Sequence, residues 1–376
     1  MVNISKLAKE QIRKLSPCFH GGNIWRVSEK YHIPVEEVID FSVSINPLGT
    51  SRKVMKSICD HVHLISNYPS PNAEPLNQKL AKYVGAESNN IIIGNGTTEL
   101  IHTFTDVFLE KGKKTVMPAP TFGEYKVATL KNGGQPVFLK CSYETSFLID
   151  LAKFADLLSG DTKIAFLCNP NSPTGTLLSK EAVISFVRLA AQKNVLVFLD
   201  EAYNEFVEDG KRYSMVDCVN HFDNLFVLRA LTKFFGLAGL RIGFGVACPE
   251  MIELLKKAQV PWSVNSLAIF AADEVVEDSD FIDKSKAFTL RSKTQLWRLL
   301  QEIPWLKVYS SEANFFLCKI NTPGLTSTLL KEMLERKGLL IRDCSNFEGL
   351  NDKFFRVAVK RPPENKKLIE CLHSFG

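Results

Sequence analysis

Seven short apolar runs recur through the middle of this chain, near residues 91–93, 115–117, 136–139, 163–168, 195–199, 224–229 and 242–247. They alternate with stretches of helical period. No other feature restricts the fold as much. Most of these runs have no polar face, so each needs cover on both sides, the condition of a parallel sheet flanked by helices. Segments 100–109, 181–193 and 250–259 supply such helices. The pattern predicts an α/β fold around a mostly parallel sheet. The last third reads differently. A long helix near 281–303 precedes a strand near 314–320. A helix from about 325 ends at Gly338, and strands near 339–341 and 354–359 lead to a final helix. That order predicts a smaller α+β unit.

The 376 residues are enough for one large and one small domain. The net charge of +5 is spread along the chain and forms no basic stripe, so no nucleic-acid partner is expected. There is no run of eighteen apolar residues, so no membrane span is expected. The nine cysteines include no CxxC and no metal-like spacing, and no metal site is predicted. Cys168 and Cys318 lie in apolar runs and read as small core residues, which fits a reducing cytoplasm. Residues 5–15 read as a short basic amphipathic helix packed on the protein.

Chemistry concentrates where the apolar runs end. Lys233 stands between a strand and a glycine-rich turn, in Leu231-Thr232-Lys233-Phe234-Phe235-Gly236, and Arg241 follows. An apolar setting favours a neutral amine, the form that attacks a carbonyl to make a Schiff base. A guanidinium pairs with a phosphate in two-pronged geometry. Together they suggest a lysine that holds a phosphorylated aldehyde, pyridoxal phosphate. Asp200 and Tyr203 follow the run Val195–Leu199, at the strand end where open α/β sheets bind ligands. Asp200 there can hold a protonated pyridine nitrogen, and Tyr203 can donate to the ring's phenolic oxygen. Taken alone, Asp200 reads as a helix N-cap. Asn169, in Asn169-Pro170-Asn171-Ser172-Pro173-Thr174-Gly175, either bonds the same ring oxygen or belongs to a plain turn. Gly94-Asn95-Gly96-Thr97-Thr98 links a strand to a helix. It is either an anion site of backbone N–H groups or a helix capped by Thr97 or Thr98.

The order and spacing of these motifs resemble the fold-type I pyridoxal-phosphate enzymes, the aspartate aminotransferase superfamily, over nearly the whole chain. The resemblance implies a seven-stranded sheet in a large cofactor-binding domain, residues 46–270. It implies a small α+β domain built from both chain ends, the N-terminal segment 1–45, which also forms a substrate lid, and residues 271–376. Lys233 is then the Schiff-base lysine, Asp200 meets the pyridine nitrogen, and Asn169 and Tyr203 meet the ring oxygen. Gly96, Thr97, Thr98 and Arg241 surround the phosphate, and Phe122 lies against the ring face. Tyr68 matches a tyrosine that reaches the neighbouring subunit's cofactor, which implies a homodimer with shared sites. Ala230 stands where the superfamily usually has Ser or Thr, and Thr232 is the candidate replacement hydroxyl.

A second resemblance is more specific. Phe19-His20-Gly21-Gly22-Asn23, followed by Asp40-Phe41-Ser42-Val43-Ser44-Ile45-Asn46-Pro47-Leu48-Gly49, resembles the threonine-phosphate decarboxylase family. These are cobalamin-pathway relatives of the histidinol-phosphate aminotransferases. The resemblance implies decarboxylation of threonine phosphate or serine phosphate to an amino-alcohol phosphate. A histidinol-phosphate-type aminotransferase and a non-catalytic cofactor-binding regulator are the alternatives on the same fold. By the same resemblance Arg356 holds the substrate carboxylate, while Arg342 and His20 hold its phosphate. Ser44, where the family usually has asparagine, is placed beside that phosphate, and Asn46 is placed in the substrate pocket.

Overall fold

The computed structural model describes residues 2–71 and 73–375. A two-residue strand, β1 (Ile39–Asp40), comes first. The central sheet follows: β2 (Ile91–Gly94), β3 (Lys114–Ala119), β4 (Gln135–Lys140), β5 (Thr162–Cys168), β6 (Leu196–Asp200), β7 (Leu225–Ala230) and β8 (Gly243–Ala247). Their spatial order is β2-β8-β7-β6-β5-β3-β4. Strands β3 to β7 pair in parallel, and β8 runs antiparallel to both β2 and β7. The mostly parallel seven-stranded sheet expected from the apolar runs is present.

Strand alternation sorts the side chains into two cores. Ala165, Leu167, Val197, Leu199 and Val227 face one. Ile164, Phe166, Phe198, Phe226 and Leu228 face the other. Burial on both faces is why these strands read as continuous apolar runs. The parallel register brings Cys168 beside Asp200 at the carboxyl ends of β5 and β6.

The C-terminal part adds β9 (Leu306–Val308), β10 (Phe315–Ile320), β11 (Leu339–Leu340), β12 (Arg342–Asp343) and β13 (Phe354–Ala358). Four of these form an antiparallel sheet in the order β12-β13-β10-β9. β1 pairs in parallel with β11, and Phe41 is buried in the core of this second layer. The chain's beginning is thereby fixed to its end.

Two expectations need correction. The single helix expected over residues 5–15 is two short ones, Ile4–Leu7 and Glu10–Lys14, broken by extended backbone at Ala8, and neither buries a residue. A helix of that length is marginal without an apolar face to pack. The boundary drawn after residue 270 falls inside the helix Ser266–Val275. That helix buries Ala268, Ala271, Ala272 and Val275 in the core of the central sheet. Among the described residues no helix is long and apolar enough to cross a membrane.

Candidate active site

A cavity of about 340 Å³ opens where β5, β6 and β7 end. Asp200, Tyr203, Thr232, Lys233 and Phe122 line it. So do Thr97, Thr98 and Arg241, and, from the C-terminal part, Arg342 and Arg356. Residues read separately from six stretches of sequence therefore share one site.

Asp200 ends β6 and is buried. Tyr125 Oη donates to its Oδ2 at 2.7 Å, and the Ala202 N–H donates to its Oδ1 at 2.9 Å. Burial pushes its carboxyl above the usual range, while the bonds from Tyr125 and Ala202 and the charge of Lys233 pull it back. A buried carboxyl short of compensation suits a cationic partner, and a protonated pyridine nitrogen is one. The capping bond to Ala202 exists, but the chain then enters a short 3₁₀ turn, Asn204–Phe206, not an α-helix.

Tyr125 was not singled out from sequence. It is fully buried, its ring is stacked on Phe166 at 4.9 Å, and its hydroxyl is held by Asp200. A buried tyrosine must find a partner for its hydroxyl. The sequence could signal that need but not that the partner lies 75 residues away.

The side expected to take the phosphate rests on the helix Gly96–Phe108. Its N-cap is Asn95, whose side chain makes no capping bond, so neither Thr97 nor Thr98 is the cap. The first turn thus keeps N–H groups and the positive end of the helix dipole for an anion. Gly96 has φ +72°, and a Cβ there would lie 2.5 Å from Arg241 Nη2. Only glycine lets the guanidinium lie so close to the helix start. Uncapped donors beside an arginine fit a phosphate. Ala230 ends β7 without a hydroxyl, while Thr232 is buried and faces the cavity.

Three expected contributors point elsewhere. Asn169 bonds its own loop: its Oδ1 accepts the Leu178 N–H at 2.7 Å and its Nδ2 donates to the Leu178 carbonyl at 3.2 Å. It does not line the cavity, whereas Ser172, three residues on, does. Ser44 is fully buried, its Oγ has no hydrogen-bond partner, and it also lies off the cavity. Asn46 donates from its backbone N–H to the Lys233 carbonyl at 3.0 Å. Its Nδ2 donates to the Phe234 carbonyl at 2.7 Å and to Ser285 Oγ at 2.8 Å. It props the lysine loop from behind. Ser42, Val43 and Ile45 of this segment line the cavity, while Ser44 and Asn46 turn away from it.

Arg356 and Arg342 are register partners on β13 and β12, and both are buried. Arg356 donates to Ser172 Oγ at 2.9 Å and to the Ser42 carbonyl at 3.1 Å, and lies over the ring of Phe315. Arg342 donates to the Phe19 carbonyl at 2.8 Å and to Asn346 Oδ1 at 2.9 Å. Burial pushes the Arg342 pKa down. Among the described residues neither arginine makes an ion pair. His20 lines the same cavity and meets Glu124 Oε1 at 2.7 Å, while His102 stands 3.4 Å from Glu124 Oε2. The two imidazoles hold the Glu124 carboxyl down at about 2. Tyr203 lies edge-on to Phe315, and Phe122 edge-on to Tyr125. Tyr68 stands apart, 80% exposed and stacked on Trp262.

Residues 36–372 match the profile of the aminotransferase class I and II family. The chain belongs to that family, and its cofactor is pyridoxal phosphate. It is 39% identical over 359 residues to a Caldanaerobacter subterraneus subsp. tengcongensis protein named "Putative threonine-phosphate decarboxylase", covering 96% of this chain and 94% of the other. A histidinol-phosphate aminotransferase structure from Clostridium acetobutylicum superposes with a TM-score of 0.83 at 30% identity, over 90% of this chain and 99% of that one. An L-threonine-O-3-phosphate decarboxylase structure from Porphyromonas gingivalis superposes with a TM-score of 0.79 at 26% identity, over the same shares.

Proposed function

We propose that the chain decarboxylates an O-phospho-hydroxyamino acid, threonine phosphate or serine phosphate, to the matching amino-alcohol phosphate. One observation carries the reading. Two neighbouring guanidinium groups, Arg342 and Arg356, are buried at one cavity with no carboxylate paired to either among the described residues. Two buried like charges are costly unless anions neutralise them. A substrate with both a carboxylate and a phosphate supplies two anions. The 39% identical relative, by its name, supports the same choice.

Bound pyridoxal phosphate supplies an electron sink for the bond that breaks at the substrate's α-carbon. The chain selects that bond by orientation. Arg356 grips the carboxylate, and Arg342 with His20 grips the phosphate, so the carbon–carboxylate bond is the one presented. Tyr125 keeps Asp200 ionised, and Asp200 keeps the proton on the ring nitrogen. Val43, Ile45 and Phe122 supply apolar wall, which limits water at the reacting carbon. Tyr68, exposed in the single chain, serves the cofactor of a partner subunit in a two-fold dimer.

The rival reading is an aminotransferase, favoured by the 30% identity to the Clostridium acetobutylicum structure. The two separate in one assay. Carbon dioxide release is measured with threonine phosphate and serine phosphate in parallel, and histidinol phosphate is incubated with 2-oxoglutarate. Carbon dioxide without consumption of the oxo acid is expected. Stoichiometric consumption of 2-oxoglutarate with no carbon dioxide would overturn the proposal.

A further inference from the structure

We propose that Cys18, His20 and Glu124 form a binding site for a thiophilic divalent cation, zinc by its chemistry, at the rim of the cavity, and that filling it shuts the enzyme. Cys18 Sγ, a His20 ring nitrogen and a Glu124 carboxylate oxygen lie within 4.8 Å of one another. One thiol, one imidazole and one carboxylate are ligand types that zinc takes together. With bonds of about 2.0–2.3 Å, tetrahedral zinc holds such atoms roughly 3.4–3.6 Å apart. The trio reaches that spacing by small shifts. His20 and Glu124, now 2.7 Å apart, open, and the sulfur closes in. The His20 side chain is half exposed.

The surroundings match a metal site. His102 stands 3.4 Å from the other Glu124 oxygen, where an outer partner orients a carboxylate ligand. Gly123 admits the sulfur: a Cβ there would lie 2.6 Å from Cys18 Sγ. No Cys-His spacing pattern announces the site, because its carboxylate comes from about a hundred residues further along the chain.

Three protein ligands leave the fourth position of a tetrahedral ion open, as in reactive zinc sites. Cys18, His20 and Gly123 all line the cofactor cavity, so the ion would stand at its wall. Binding releases the Cys18 thiol proton to solvent, sends the proton between His20 and Glu124 to His20 Nδ1 or to solvent, and puts the metal in its place. The metal thus removes His20 from the substrate. Metal binding stands on the three ligands alone, whereas inhibition rests on the role proposed above for His20.

The test uses cofactor-loaded protein freed of metal by a chelating resin. Equilibrium dialysis against micromolar zinc, without substrate, is expected to leave one zinc per chain, and zinc-edge X-ray absorption to show one sulfur neighbour. Cys18→Ser and Cys18→Ala should lose that zinc. No retained zinc, no sulfur neighbour, or equal retention by both variants would overturn the site. For the second half, each protein's turnover with micromolar zinc is compared with its own turnover in EDTA. At least tenfold inhibition, reversed by EDTA, is expected for the wild type and not for the variants. Zinc bound at Cys18 without inhibition would overturn the shut-off and the substrate role of His20, while leaving the decarboxylase reading itself to the carbon dioxide assay.

Discussion

Tyr125→Phe isolates one hydroxyl. The substitution keeps the ring on Phe166 and removes only the donor 2.7 Å from Asp200 Oδ2. Asp200 is already pushed up by burial, and this bond leads the influences that pull it back. A hydrogen bond to a buried charged group contributes about 1.5–3 kcal/mol. Its loss lifts the Asp200 pKa further, and each 1.36 kcal/mol is a factor of about ten in rate. A more basic carboxyl keeps the proton for itself, the ring nitrogen loses it, and the electron sink weakens. The cost should appear in kcat as a fall of roughly tenfold to a hundredfold, with KM little changed, because no substrate contact is touched. The assay is carbon dioxide release at saturating cofactor, with cofactor affinity followed by fluorescence titration of the apoenzyme. A kcat within twofold of the wild type would refute the reasoning and reduce Tyr125 to a core residue.

Lys233→Ala should abolish turnover, and borohydride reduction of the wild-type holoenzyme followed by peptide mapping should mark Lys233; a mark on another lysine would sink the assignment. Ser44→Asn should leave the kcat/KM ratio of threonine phosphate to serine phosphate unchanged while lowering stability by about 1–3 kcal/mol in urea unfolding, since the larger side chain enters a fully buried position; a changed ratio would put residue 44 back against substrate. Glu124, lowered from 4.5 to about 2 in the folded chain, contributes stability that is full above about pH 4.5 and is lost as pH falls toward 2. The stability difference between wild type and Glu124→Gln should therefore shrink over that acid window, and a difference constant with pH would contradict the His20 and His102 contacts.

Much of the site was legible because cofactor chemistry ties residue types to strand ends. Lys233, Asp200, Tyr203, Thr97, Thr98 and Arg241 were read from local strand and turn patterns, and folding gathers them at one cavity. What failed was orientation. Ser44 and Asn46 sit in a motif with real specificity, yet the segment between Ser42 and Asn46 turns Val43 and Ile45 to the cavity and those two away, and no local pattern said which side faced it. Asn169 failed for another reason: an amide can bond its own loop as well as a ligand, and Leu178 took it. Tyr125 and the Cys18–His20–Glu124 cluster went unseen because each depends on a contact between distant segments. The break at Ala8 and the helix across residue 270 were missed because packing against the rest of the chain, not period, decides where short helices hold.

Asn46 gives the lysine loop an unusual dependence. Through it, the first fifty residues, the Lys233 turn and the helix Ser279–Gln301 meet at a single buried amide. On the role proposed for Lys233, the amino-terminal segment steadies the cofactor's anchor, even though that segment contributes nothing to the central sheet. A protease that trims the chain past this residue would leave the seven paired strands of the central sheet, but would strip Phe41 from the second core and leave a lysine without its backstop. Such a fragment is expected to hold its cofactor less firmly than the whole chain does.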